Sequence, residues 1–93
     1  MKTIHKFRFK IDDSFTIESK KIEKFLLVEM QSRFPCLWVL VDLDSEPQAY
    51  HFRMFGTGQN IISENVEHIG SFQQGGFVWH LFFNNEDQKG HEG

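Results

Sequence analysis

Hydrophobic residues recur at every second position through most of this chain, a period that strands satisfy and helices do not. In the opening segment His5, Phe7, Phe9 and Ile11 fall on one side, and Lys6, Arg8 and Lys10 on the other. That is the pattern of a half-buried strand. Asp12, Asp13 and Ser14 follow with turn chemistry, because short polar side chains bond the local backbone. Phe15 and Ile17 resume the alternation, so residues 2 to 18 read as a hairpin. Tyr50, Phe52 and Met54 alternate in the same way with His51 and Arg53. Val66 to Gln73 and Phe77 to Phe83 form a last hairpin. Its tip holds Gln74, Gly75 and Gly76, where glycine permits positive φ.

Two segments depart from simple alternation. Ile22, Lys24, Leu26, Val28 and Met30 share one strand face, with Phe25 and Leu27 opposite. The Phe34-Pro35 return favours a strand there, and a short helix near 19–30 is the competing reading. Cys36 to Asp42 is apolar on both faces, as a central strand covered on both sides would be. The fold class expected is therefore all-β: a compact six- to seven-stranded antiparallel meander forming a small barrel or sandwich. Residues 1–83 make a single domain, and the polar, aperiodic 84–93 read as a loose tail.

Composition narrows the function classes. A chain of 93 residues holds one core. Its net charge of −3 argues against a generic nucleic-acid binder, whose affinity rests on a basic excess; a local basic patch stays compatible with it. Cys36 is the only cysteine, which excludes an intrachain disulfide and a CxxC metal site. Beside Leu37 and Trp38 it reads as a small hydrophobe. Met1 to Lys10 alternates charged and apolar residues, unlike a signal peptide, and the apolar run Cys36 to Val41 is too short to span a bilayer. A cytoplasmic protein without membrane contact is expected.

Chemistry-bearing residues are few. None of His5, His51, His68, His80 and His91 sits at a local zinc-ligand spacing. Only His51, His68 and His80, brought together across strands, would offer a metal site, and no metal or cofactor is expected. The serines occupy no nucleophile elbow, so no catalytic residue is assigned and a non-enzymatic role is expected. The loop Gly56-Thr57-Gly58-Gln59 has the glycine content of an anion-binding nest. It lacks the lysine of a P-loop and the helix that follows one. Arg53 and His51 precede it on one strand face, about 7 Å apart by strand rise. An arginine fork beside free amides holds a phosphate or carboxylate.

Phenylalanine is in surplus: 11 Phe against one Tyr and two Trp. Small domains bury only about 60% of their unfolded surface. Some of Phe25, Phe34, Phe55, Phe77, Phe82 and Phe83 should therefore emerge as an apolar patch, which in a soluble protein marks an interface. A homo-oligomer is the expectation.

Several blocks together carry a family resemblance. They are Met1 to Phe7, Pro35 to Asp42 (PCLWVLVD), Phe52 to Gly58 (FRMFGTG), His68 to Gln73 and Phe77 to Phe82 (FVWHLF). With them the chain resembles, over about residues 1 to 83, a family of short uncharacterised proteins of bacteriophages, prophages and their hosts. Gln59 stands where that family often has histidine, and the family offers no catalytic residues to carry over. The resemblance implies a phage-type accessory protein in the bacterial cytoplasm. The function expected is to counter a host antiviral defence by sequestering a small anionic ligand such as a nucleotide signal. Arg53 would bind phosphate, and His51, Gly56, Thr57, Gly58 and Gln59 would supply hydrogen bonds. Trp38 or Trp79 would stack a base. The alternatives are an inhibitor of a host defence protein, acting through an apolar patch or edge strand, and a structural or regulatory phage protein.

Overall fold

Period-two patterning yields strands throughout the computed structural model, which describes residues 1–61 and 65–85. In chain order they are β1 (Lys2–Arg8), β2 (Ser14–Ser19), β3 (Lys21–Gln31) and β4 (Phe34–Asp42), then β5 (Gln48–Gly56), β6 (Val66–Gln74) and β7 (Phe77–Asn84). The segment that left helix and strand in competition is strand β3. All pairings are antiparallel, in a three-stranded sheet A, ordered β1-β4-β3, and a four-stranded sheet B, ordered β2-β5-β7-β6. The sheets stay separate and pack as a sandwich, as the all-β reading expected. Among the described residues no helix is long and apolar enough to cross a membrane.

The hairpin expected over residues 2 to 18 does not form. β1 pairs with β4 and β2 with β5, so the chain passes from one sheet to the other between them. Two backbone bonds hold that crossing: Phe9 N–H to the Pro35 carbonyl at 3.0 Å, and Met54 N–H to the Asp13 carbonyl at 3.0 Å. Five residues separate the two strands, enough to cross and too many for a two-residue hairpin turn. The β6–β7 hairpin does form as expected, with Gly75 and Gly76 at φ of 62° and 80°.

Leu37, Val39 and Val41 of β4 meet Phe52 of β5 and Leu81 of β7 in the core, and all five are fully buried. The surplus phenylalanine is absorbed here. Phe9 stacks on Phe15, and Phe15 on Phe52, with centroids 4.8 and 5.1 Å apart. Phe25 and Phe83 close the other flank at 5.6 Å. Offset and edge contacts of this kind add to simple burial. Of the six phenylalanines from which some were expected to emerge, two do. Phe55 and Phe83 are buried, Phe25 and Phe82 half-buried, and only Phe34 and Phe77, beside turns, are exposed. Cys36 is buried, as its small apolar character required.

Bulges change which residues face inward. β3 shifts register between Ile22 and Lys24 and again between Phe25 and Leu27. Each extra residue flips the alternation, so Phe25 joins Ile22, Val28 and Met30 against the core while Lys24 and Leu27 face outward. β4 also differs from expectation. It is central, but its outward Trp38 and Leu40 are only half-buried, because no third layer covers sheet A.

Candidate functional site

The outer face of sheet B gathers most of the polar residues singled out in the sequence. Register places Ser14, Arg53, Phe82 and His68 in one cross-strand row, and Phe55, His80 and Ser71 in the next. Arg53 lies over the Phe55 ring at 5.3 Å, and Phe55 meets Phe82 edge-on at 5.4 Å. The guanidinium is thereby held along an aromatic wall. Among the described residues no carboxylate lies within ion-pair distance of it. His51, in the flanking row, hydrogen-bonds Thr16 through Nδ1 at 2.9 Å.

A chain of hydrogen bonds crosses this face. His68 Nε2 lies 3.3 Å from Ser71 Oγ, which lies 2.8 Å from His80 Nδ1. His80 Nε2 continues to Thr57 Oγ1 at 3.1 Å, and Thr57 Oγ1 donates to the Val78 carbonyl at 3.4 Å. One direction satisfies every link. Thr57 donates to Val78, His80 Nε2–H to Thr57, the Ser71 hydroxyl to His80 Nδ1, and His68 Nε2–H to Ser71.

The Gly56–Gln59 loop stands at the end of this chain. Its amides are largely used within the fold. Gly56 N–H donates to Gln59 Oε1, Gln59 N–H to the Gly56 carbonyl at 3.1 Å, and Thr57 N–H to the Val78 carbonyl at 3.2 Å. Gly58 makes the turn with φ of 94°. The loop therefore offers side chains, Thr57 and Gln59, more than an open nest of amides. Beside it lies a depression of about 260 Å³ walled by Phe55, Ile61 and Phe82, with Thr57, Gln59 and His80 as its polar edge. A second depression of about 320 Å³ is lined by Arg53 with Asp13, Thr16, His51 and Asn84.

The two tryptophans differ in their placement. Trp38 is on the outer face of sheet A and cannot meet Arg53 within one subunit. Trp79 packs beneath Gly56, where a Cβ would lie 3.3 Å from its ring. It lines a third depression with Asp13, Phe77 and the loop residues Gly56, Thr57 and Gln59. His68 and His80 approach to 5.9 Å between rings. Among the described residues, no three histidine, cysteine or carboxylate side chains converge as a metal centre would require. His91 lies outside the described residues, as do residues 86–93 of the expected tail. Asn84 ends β7, and Asn85 N–H bonds the Asn65 carbonyl at 2.8 Å.

Sequence reasoning missed Ser71, His68 and His80 as a unit. His68 and Ser71 are three apart, which strict alternation places on opposite faces. The bulge between His68 and Gly70 puts them on the same one. The Ser71–His80 pair has the contact of a nucleophile and a base, yet no carboxylate among the described residues hydrogen-bonds either imidazole of the chain, as an orienting third group would.

Fold and site together define a two-sheet antiparallel sandwich with a polar, aromatic face that bears Arg53 beside a glycine loop. The chain belongs to the family described as Domain of unknown function (DUF7352), which matches residues 1–92. No curated protein and no solved structure matches it.

Proposed function

We propose that this chain is a non-enzymatic binding protein whose outer face of sheet B takes a small anionic ligand carrying a flat ring, such as a nucleotide. One observation carries this reading. Arg53, without a carboxylate partner among the described residues, lies over the ring of Phe55, and that ring walls a depression with a hydrogen-bonding edge. A ring seated against Phe55 and Phe82 would find polar partners in Thr57 and Gln59, while Arg53 held its phosphate. At about 260 Å³ the depression falls below the range of roughly 300–1,000 Å³ typical of drug-sized sites. It therefore accepts one ring, and a second subunit closing over exposed Ile61 would complete the enclosure. The expected assembly is a homo-oligomer. The resemblance to short phage and prophage proteins supplies the setting: an accessory protein that withholds a nucleotide signal from a host defence.

Thermal melting against linear and cyclic nucleotides tests this. A nucleotide should raise the melting temperature of the wild type and leave that of Arg53→Ala unchanged. A panel without any shift at millimolar concentration would contradict the proposal.

A further inference from the structure

The outer face of sheet A carries a charge opposite to that of the chain. Register sets four rows across β1, β4 and β3: Lys2–Asp42–Lys21, Ile4–Leu40–Lys24, Lys6–Trp38–Leu27 and Arg8–Cys36–Glu29. Five cations thus share the face with two carboxylates, on a molecule whose net charge is −3. The only ion pairs among the described residues belong to the Met1 α-amine, with Asp44 and, at 4.0 Å, Asp42. None of the five cations is therefore neutralised by a carboxylate within the described fold. Between them lies apolar surface that the core does not use. Ile4 is 58% and Leu27 46% exposed, with Trp38 and Leu40 half-buried beside them.

We infer that this face docks an acidic protein surface with an apolar centre. An apolar middle inside a charged rim is the anatomy of a protein interface, and the rim calls for carboxylates on the partner. Other occupants fit less well. A nucleic-acid strand seeks exposed rings on which to stack bases, whereas the exposed centre here is aliphatic and its single indole half-buried. Exposed Phe34, at the end of the face, carries the Arg8 guanidinium 4.4 Å from its centroid. A second copy meeting the same face about a two-fold axis would oppose like-charged rims. Three strands about 4.8 Å apart, seven to eleven residues long, give a footprint of roughly 15 by 25–35 Å. That is the scale of a small, transient contact.

The test uses four probes against the full chain. They are a 12-residue peptide alternating Glu with Leu, poly-glutamate, a 15-nucleotide oligo(dT), and phosphatidylserine vesicles. The Glu/Leu peptide should bind best, and its affinity should fall several-fold between 50 and 300 mM salt. Lys6→Glu with Lys24→Glu should weaken it by roughly tenfold or more, and Leu27→Ser should weaken it at unchanged charge. Arg53→Ala, on the other sheet, should leave it unchanged. Because all three altered residues of sheet A are exposed or lie at the surface of the face, an unchanged melting temperature certifies the fold of each variant. Preference for oligo(dT) or vesicles, equal binding of poly-glutamate, or indifference to the charge reversal would each overturn the inference.

Discussion

Gly70 of β6 stands directly against Val28 of β3: a Cβ placed on Gly70 would lie 3.1 Å from both Cβ and Cγ2 of Val28. Here the edges of the two sheets touch, and the bulge that turns Gly70 toward sheet A also turns His68 and Ser71 to the same outer face. Close sheet packing and the assembly of the polar chain thus depend on one local irregularity. Gly70→Ala should destabilise the fold by about 1–3 kcal/mol through overpacking, measured by chemical denaturation. Unchanged stability would mean that the sheets separate freely at this edge.

Tyr50 ties the sheets by a different means. Its hydroxyl accepts the Ile22 N–H at 2.9 Å, next to the first bulge of β3, where the ladder with β4 is interrupted. Tyr50→Phe should cost about 1–3 kcal/mol, the penalty for a donor left without its acceptor. Hydrogen exchange at the Ile22 amide should accelerate in parallel.

Truncation should separate core from surface. Leu81→Ala removes a fully buried side chain packed among the core phenylalanines and should cost about 2–5 kcal/mol. Leu27→Ala, on the exposed face of sheet A, should stay within about 0.5 kcal/mol. Equal losses at the two positions would show that something covers sheet A in solution.

Ser71 joins two imidazoles and bears no load in the core. Ser71→Ala should change stability by no more than about 0.5 kcal/mol. Losing the 2.8 Å contact frees the His80 ring, so nucleotide affinity should fall while folding is retained. Calorimetric titration of the variant reads both effects.

Much of the fold was legible because alternation is a local signal. The faces of β5 and β7 and the β6–β7 turn follow from it. Partner choice is not local. Nothing in Asp12-Asp13-Ser14 distinguishes a hairpin turn from a crossing between sheets, and the difference lies in bonds to Pro35 and Met54. Bulges defeated the alternation in β3 and β6, since an inserted residue leaves no compositional mark. The phenylalanine surplus was legible only in part, since Phe34 and Phe77 emerge and the other four flagged rings are buried or half-buried. Rings that stack across two sheets pack more densely than a count of apolar residues conveys. Of the candidate site, Arg53, His51 and the Gly56–Gln59 loop were readable from one strand and its turn. Ser71 and His80 required the β6–β7 register, and Trp38 lies on the other sheet, where only a second subunit would bring it to the site.

Amide spectra of the nitrogen-15-labelled chain, followed through titration with AMP and with a cyclic dinucleotide, test the binding face most directly. The expected result is saturable shifts at Arg53, Phe55, Thr57, Gln59 and His80, with Trp38 and Leu40 unmoved. Spectra unchanged to millimolar nucleotide, or shifts confined to sheet A, would contradict a ligand site on the outer face of sheet B.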